Sequence, residues 1–285
     1  MATLPRTFER DAPAPPATDN TPGDLAALPF QRGGLSLKPF SLLAVIALWQ
    51  ALAMLNVALH FYNAKLFPSP VDIALAGWAL AEKGDLQRHL LASVTRVVIG
   101  FAFAAPIAIA IGAIVAKVRW CETLLDPVVE ALRPIPTLAL LPMIILWFGI
   151  GETSKVFFIA YSCFFVIFTT TVLGVRNVDP VLIRAAQSLG LSRRDVYRHV
   201  IFQSALPDVL VGLRLGLSVG FFVIVAAEFI AADTGLGYLI NYSRTWFQVD
   251  NMMLGAIVIG ALGITSNYLL VALERRLFRW RATAT

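Results

Sequence analysis

The stretch DPVLIRAAQSLGLSRRDVYRHVIFQSALP, residues 179–207, decides the fold because it is the longest charged interruption between two strongly apolar segments. We predict two short helices in it, both outside the apolar part of the chain. Asp179 can cap the first helix, and Pro180 fits its first turn, where a missing amide hydrogen is no loss. Gly190 suits a left-handed C-terminal position, and the Ser192–Asp195 pair is typical of a capping box that begins the second helix.

The first of these helices carries one face of small and aliphatic side chains. The spacing i, i+3, i+4 and i+7, which marks a single helical face, is occupied by Leu182, Ala185, Ala186 and Leu189. Small side chains let another protein approach the backbone closely. The pattern therefore predicts a docking surface on this face.

This segment resembles the cytoplasmic signature of permease subunits of binding-protein-dependent ABC importers, which reads E-A-A, three residues, G, nine residues, I-x-L-P. Ala185, Ala186 and Gly190 match it. Arg184 stands where the signature has Glu, and Phe202-Gln203 stands where it has Leu-Pro. The flanking IRAAQSLGLS is similar to the branch that imports taurine, other aliphatic sulfonates and nitrate.

Further similar strings lie in residues 125–155, 174–180 and 225–240, so the resemblance covers roughly residues 86–280. It implies an all-α, polytopic membrane protein with six transmembrane helices and the type I ABC importer permease fold. It also implies which residues couple the chain to an ATPase: Arg184, Ala185, Ala186, Gln187, Ser188, Leu189 and Gly190.

The partners that the resemblance implies are a second copy of the chain, a cytoplasmic ATP-binding cassette ATPase dimer and a periplasmic or extracellular substrate-binding protein. ATP and Mg²⁺ would bind to the partner ATPase, and this chain would carry no cofactor and perform no covalent chemistry. The expected location is the bacterial inner membrane, in contact with lipid, with both termini in the cytoplasm.

Composition agrees with a membrane protein. The chain of 285 residues is 58% hydrophobic and 14% charged, against about 25% charged in an ordinary soluble domain, and its mean hydropathy is +0.74. The net charge of +5 does not indicate nucleic-acid binding, because the basic residues lie at the ends of apolar runs instead of along one stripe. Three scattered histidines and no Cys/His spacing give no metal site to predict.

Six apolar segments are predicted to cross the membrane: residues 39–62, 90–116, 135–150, 155–174, 207–232 and 251–273. Residues 1–36 mix Pro, Ala, Asp and Arg without periodicity, which predicts a disordered cytoplasmic tail before a permease domain of residues 37–285. We expect an outer loop with a short amphipathic helix at residues 66–88, an interfacial helix at 121–133, and a cytoplasmic ATPase-coupling loop at 179–206.

The positive-inside rule orients these spans. With the termini and residues 117–133 and 175–206 inside, sixteen Lys and Arg residues are cytoplasmic and five remain outside: Lys65, Lys83, Arg88, Lys155 and Arg244. The coupling loop is therefore expected to face the cytoplasm.

The third span is short and carries Pro136 and Pro142. Because prolines remove backbone hydrogen bonds that lipid cannot replace, we predict that this segment lines the translocation path. A kinked helix with only a packing role is the open alternative.

Ionisable residues inside the spans need protein or water around them. We predict that Arg96 attracts an anionic substrate into the path or pairs with Glu228 at an outer gate. The alternative is a pair that only locks two helices together. Arg214, near the inner end of the fifth span, is interpreted as a residue that extends its charge to the interface.

The run DTGLGYLI, residues 233–240, resembles the outer loop with which such permeases face their binding protein. The residues assigned to that role are Asp233, Gly235, Gly237 and Tyr238. Two glycines are predicted to close a helix here, before Tyr238.

The energy source is expected to lie in a partner, because the chain has no G-x-x-x-x-G-K-[ST] motif and none of its five lysines follows a glycine. A gradient-driven carrier is the main alternative, although such carriers bury more ionisable residues. A membrane-embedded enzyme would need paired carboxylates or a Ser/His arrangement in the spans. RAAQSLG and FGIGETSK are most similar to the taurine branch, while nitrate, bicarbonate and other small organic solutes stay open.

Overall fold

The computed structural model describes residues 38–61, 63–132 and 135–277, and within these ranges it contains helices and no β-strand. The all-α prediction is confirmed. The predicted tail, residues 1–36, lies outside the described residues. The chain divides into two units, residues 1–46 and 47–285; of the first, only the beginning of α1 is described.

Eleven helices are described: α1 (Lys38–Leu59), α2 (Pro70–Glu82), α3 (Asp85–Lys117), α4 (Arg119–Leu132), α5 (Thr137–Phe148), α6 (Glu152–Arg176), α7 (Pro180–Ser188), α8 (Arg193–Asp195), α9 (Phe202–Ala231), α10 (Leu236–Thr245) and α11 (Val249–Leu277). A 3₁₀ turn, Ala64–Leu66, follows α1, and a π-helical turn, Val196–Ile201, joins α8 to α9.

Five stretches of the described chain are long and apolar enough to cross a membrane: Phe40–Leu59, Asp85–Lys117, Glu152–Arg176, Arg193–Ala231 and Val249–Arg276. α5 is apolar but has only 12 residues, fewer than the roughly 20 that a full crossing takes. The six predicted spans therefore fall on five long helices and one short helix. α2 and α4 occupy the segments predicted as a helix in an outer loop and as an interfacial helix.

Three helices, α3, α6 and α9, form the core of the second unit. Gly100 and Gly112 of α3 lie against Ile159 and Thr171 of α6, so these two helices run parallel. Fully buried side chains at this core include Val97, Phe158, Ile159, Cys163, Ile167 and Ile224.

α9 runs antiparallel to α6 along a row of glycines four residues apart. Gly212 lies beside Thr170, Gly216 beside Ile167 and Gly220 beside Cys163. A Cβ atom on Gly212 would lie 1.9 Å from Thr170 Oγ1, so the two backbones pack without side chains between them. The Cys163 thiol donates to the Gly216 carbonyl oxygen at 3.1 Å, which uses this close approach.

The prediction of a separate second helix between Ser192 and Pro207 was wrong. Ser192 does begin a helix, since its Oγ accepts from the Asp195 backbone N–H at 3.2 Å. That helix continues through the π-turn and Pro207 to Ala231, a run of 39 residues. Proline removes one backbone hydrogen bond from a helix interior, and membrane helices tolerate this loss. Pro207 therefore lies inside α9 instead of beginning it.

Candidate functional site

Two parts of the bundle carry candidate function. We call residues 179–201 the elbow, and Arg96, Glu152, Lys155 and Glu228 the charge cluster. Arg176, the last residue of α6, leads into the elbow, whereas Glu152, its first residue, belongs to the cluster. Because α6 joins them, the elbow and the cluster lie at opposite ends of the bundle.

Local hydrogen bonds fix both ends of α7, the first helix of the elbow. Asp179 Oδ1 accepts from the Val181 backbone N–H at 2.7 Å. At the other end, Gly190 takes a left-handed φ of 78°. The Gly190 N–H donates to the Gln187 carbonyl oxygen at 2.9 Å and the Leu191 N–H to the Ala186 carbonyl oxygen at 3.2 Å, which is a Schellman motif. Both ends of this short helix are therefore capped.

The predicted docking face of α7 is mostly uncovered. Ala186 packs inward and is 6% exposed, whereas Leu182 and Ala185 are exposed and Leu189 is 80% exposed. Of the residues assigned to ATPase coupling, those exposed are Arg184, Ala185, Gln187, Ser188, Leu189 and Gly190. Exposed aliphatic side chains on a rigid helix outside the apolar spans are typical of a protein-docking surface.

The elbow is connected to the bundle through the π-turn. Tyr197 Oη donates to the Ala113 carbonyl oxygen of α3 at 2.7 Å. The Lys117 ammonium lies 4.2 Å from the centre of the Tyr197 ring, a cation–π contact. Val175, Val178 and Ala205 form a small buried core beneath Tyr197. The elbow is therefore in contact with α3, α6 and α9 near their ends.

We expect Gly190→Ala to destabilise the protein by about 1–2 kcal/mol, the cost of a left-handed conformation for a residue with a Cβ atom. No atom lies within 4 Å of the added methyl, so the backbone conformation is the only source of the effect. Thermal unfolding of the purified protein in detergent measures it. Gly260→Ala, which also meets no neighbour within 4 Å but lies inside α11, is the control and should not destabilise. Equal stability of the two variants would contradict the prediction.

Arg96 holds the charge cluster together. Its Nε and Nη2 donate to the two carboxylate oxygens of Glu152, each at 2.7 Å. Its Nη1 donates to Glu228 Oε1 at 2.7 Å and to the Thr234 carbonyl oxygen at 2.6 Å, and Nη2 also donates to Thr234 Oγ1 at 3.2 Å. These bonds match the five N–H donors of a guanidinium group. The predicted contact between Arg96 and Glu228 is present in the structure; its role in the path stays a prediction.

Glu228 ties the segment between α9 and α10 to the core. Its fully buried carboxylate accepts from Ser93 Oγ at 2.8 Å and from the Gly237 backbone N–H at 2.8 Å, besides Arg96. Ser93 Oγ in turn accepts from the Leu236 backbone N–H at 2.8 Å. The start of α10 is therefore fixed on a buried carboxylate.

Two glycines allow this close approach. Gly235 has a φ of 126°, and a Cβ atom on it would lie 2.3 Å from the carboxyl carbon of Glu228. A Cβ atom on Gly237 would lie 2.8 Å from the Val225 carbonyl oxygen. Both glycines are buried and begin α10 instead of closing a helix, so that part of the sequence prediction was wrong. Among the residues assigned to face a binding protein, Asp233 is exposed and Tyr238 is half-buried against His89.

Neither Glu152 nor Lys155 was predicted from the sequence as a site residue. Lys155 Nζ donates to Glu152 Oε1 at 2.7 Å, and the Lys155 side chain is buried although we had predicted it on the outer side, as the first residue of the fourth span. The cluster thus contains two cations and two carboxylates, whose formal charges cancel. An i, i+3 acid and base at the start of an apolar helix was the available signal.

Pro136 and Pro142 lie on α5. Pro136 is its N-cap and Pro142 is inside it, and both are exposed. Leu141 and Ile144 are the buried residues of this helix. The exposure of the prolines is compatible with a path or a subunit contact, and their predicted role stays a prediction.

Arg214 has a carboxylate partner that the sequence did not indicate. Its Nε lies 3.8 Å from Glu274 Oε2 of α11, and both side chains are partly exposed. The loose geometry and the exposure give this pair a small stabilising effect.

A family model described as binding-protein-dependent transport system inner membrane component matches residues 106–281, which include the elbow and three of the four cluster residues. The chain belongs to this family. It is therefore an ABC importer permease, a transport subunit whose ATPase is a separate subunit. Such a permease works in general with an ATPase and a substrate-binding protein, and with its apolar helices this one is a multi-pass inner membrane protein.

Curated relatives of this permease share about a third of its residues. A protein of Escherichia coli (strain K12) named as an aliphatic sulfonates transport permease, SsuC, is 36% identical over 89% of this chain and 95% of its own length. The taurine transport system permease protein TauC of the same organism is 36% identical over 84% of this chain and 88% of its own length. The riboflavin transport system permease protein RibX of Chloroflexus aurantiacus is 35% identical over 94% of this chain and 98% of its own length.

Solved structures show the same fold for this permease. A chain of the MetNI methionine ABC transporter in an inward-facing conformation matches with a TM-score of 0.56 and 15% identity, over 67% of this chain and 97% of that chain. An amino acid ABC transporter crystallised with histidines matches with a TM-score of 0.54 and 21% identity, over 66% of this chain and 92% of that chain. The predicted type I permease fold is confirmed.

Proposed function

We propose that this permease moves a small anion, with taurine or another aliphatic sulfonate as the favoured class, into the cell by ATP-driven import. The observation that carries the ATP-driven part is the elbow, a capped helix whose aliphatic face is uncovered. The names of two relatives support the substrate class. Identity alone does not decide it, since a riboflavin permease is 35% identical. The two buried cations of the charge cluster are paired with Glu152 and Glu228, so they would attract an anion only when one of these carboxylates moves away.

In the proposed assembly the permease is a homodimer with two cytoplasmic ATPases, which bind ATP and Mg²⁺, and an external binding protein. Both termini and the elbow face the cytoplasm, as the distribution of basic residues indicates. The charge cluster then lies at the outer end of the bundle. The exposed Asp233 and the neighbouring α10 face the binding protein, and Arg96, Glu228, Pro136 and Pro142 belong to the path between the two copies. Nitrate, bicarbonate and other small organic solutes are the alternative cargoes.

Uptake by proteoliposomes tests this proposal. Vesicles that contain the permease, its co-purified ATPase and the binding protein should accumulate radiolabelled taurine only with ATP, and vesicles that contain the permease alone should accumulate none. Uptake by the permease alone along an ion gradient would instead establish a gradient-driven carrier. ATP-dependent uptake of nitrate or bicarbonate, but not of taurine or of another aliphatic sulfonate, would overturn the sulfonate assignment.

Leu189→Asp tests the elbow separately. A charge placed in an apolar docking surface is expected to weaken ATPase binding at least about tenfold, or about 1.4 kcal/mol. Co-purification of the ATPase with tagged permease measures this loss. Because Leu189 is 80% exposed, the variant should fold normally. Phe61→Asp, at a residue that is 82% exposed and follows α1, is the matched control and should keep the ATPase. Undiminished co-purification with Leu189→Asp would exclude this face as the docking site.

A further inference from the structure

One exposed carboxylate covers two buried cations in the charge cluster. The side chains of Arg96 and Lys155 are 5% and 4% exposed, whereas the side chain of Glu152 is 63% exposed. Glu152 Oε2 accepts from Arg96 Nε, and Oε1 accepts from Arg96 Nη2 and Lys155 Nζ, all at 2.7 Å. Three donors from two helices thus converge on the position that one anion occupies.

The two carboxylates of the cluster, those of Glu152 and Glu228, differ in how easily they could move out of contact with the cations. Glu228 is fully buried and also holds Ser93 and Gly237, so its removal would break the packing of α10. Glu152 is the first residue of α6, and most of its side chain is exposed. An exposed carboxylate needs no desolvation to rotate away. Its departure would leave the buried Lys155 ammonium without this partner, so the exchange requires an incoming anion in its place.

A cavity lies beside Glu152, between the outward faces of α3 and α6. Its lining includes Glu152 and Thr153, and is otherwise apolar: Phe103, Val156, Phe157 and Ala160. A small organic anion could therefore place its charged group on the two cations and its apolar part against these side chains.

We propose that Arg96 and Lys155 form a binding site for a small monoanion, and that the Glu152 carboxylate occupies this site in the present structure in place of the ligand. This inference rests on the proposed function and names the residues that bind its anionic cargo. A sulfonate group presents two oxygens to the Nε and Nη2 donors of a guanidinium and a third to an ammonium, as a carboxylate does with two. Exchange of Glu152 for such a monoanion leaves the charge of the cluster unchanged.

Glu152→Gln tests the site by removing the resident carboxylate. Sodium methanesulfonate is titrated into purified full-length permease in sulfonate-free, low-chloride buffer, and the rise in unfolding temperature gives the dissociation constant. The variant should bind methanesulfonate at least about tenfold more tightly than the unaltered chain. In the unaltered chain the Glu152 carboxylate competes for the site; if it is away from the cations less than about a tenth of the time, the apparent affinity for methanesulfonate falls at least about tenfold.

Three further measurements decide the outcome. Glu152→Gln combined with Lys155→Met should lose the gain, and Glu82→Gln, an exposed carboxylate bonded to Trp78 and not to a buried cation, should show none. A gain of equal size with sodium chloride would overturn the assignment to a sulfonate-shaped group. If Glu152→Gln does not fold, methanesulfonate near 100 mM should still stabilise the unaltered chain and not Lys155→Met; equal shifts in those two proteins would overturn the proposal.

These results separate the site from the transport function. ATP-dependent taurine uptake without any gain of anion affinity in Glu152→Gln would refute the site and leave the proposed function standing. A gain of affinity without uptake of taurine or of another aliphatic sulfonate would support the site and refute the sulfonate cargo.

Discussion

Replacement of Arg96 by Met should destabilise the permease by about 3–5 kcal/mol and abolish uptake, since it leaves the fully buried Glu228 carboxylate without its cation. It also removes every bond that the guanidinium makes to Glu152 and Thr234. Denaturant unfolding in detergent, followed by circular dichroism, measures the loss. Few single substitutions in this chain are expected to cost as much.

Arg214→Met is the matched control for this prediction. Arg214 is also an arginine inside an apolar helix, but it is 32% exposed and its partner Glu274 is 3.8 Å away. We expect a cost of about 1 kcal/mol or less from that variant. Arg96→Met should moreover be partly rescued by Glu228→Gln, which removes the stranded charge and keeps an acceptor for the Gly237 N–H. Equal stability of the two single Arg variants, or no rescue in the double variant, would show that the cluster does not hold the bundle together.

The second large effect is expected at Gly237. A Cβ atom there would lie 2.8 Å from the Val225 carbonyl oxygen and 2.8 Å from Glu228 Cβ. Backbone atoms cannot rotate away as a side chain can, so Gly237→Ala must separate α10 from α9 and weaken the bond from the Gly237 N–H to Glu228. We expect about 1–3 kcal/mol of destabilisation from the steric overlap, with a further loss from the weakened bond to a charged group.

Hydrogen exchange measured by mass spectrometry is the sharper readout for Gly237→Ala, because exchange should rise first in α10. Gly263→Ala on α11 is the control, since no atom lies within 4 Å of its added methyl. Alanine is a better helix former than glycine by about 1 kcal/mol, so the control should be neutral or stabilising. Normal protection of α10 in Gly237→Ala would contradict the packing described for this glycine.

Local chemistry made much of the elbow predictable from sequence. Asp179, Gly190 and Ser192 act through bonds to residues a few positions away, and the structure contains the caps that their spacing predicted. The start of the fifth predicted span, which belongs to α9, was harder to predict, because Pro207 can either begin a helix or lie inside one. Which of these holds depends on whether the helical backbone hydrogen bonds continue through the residues before Pro207, and the sequence does not show this.

The charge cluster was only partly predictable, because its contacts join residues far apart in the chain. The depth of Arg96 and Glu228 in apolar segments showed that each needed protein or water around it, and their pairing was one of the alternatives that this left open. Glu152 lies 56 positions from Arg96. It stands with Lys155 beside a glycine-rich turn, where charged residues are usually hydrated. Their convergence on Arg96 depends on how α3 and α6 pack.

The continuous run from Arg193 to Ala231 has 39 residues, a rod about 58 Å long at 1.5 Å per residue. Its irregular places are the π-turn, which is the last part of the elbow, and Pro207 shortly after it, whereas Glu228 is three residues from its far end. A displacement of the elbow would thus be transmitted to Glu228 along one continuous helix. If the ATPase docks on the elbow, one continuous helix connects ATP hydrolysis with the contact between Glu228 and Arg96, so the two events would be coupled by that helix and not by a series of separate contacts.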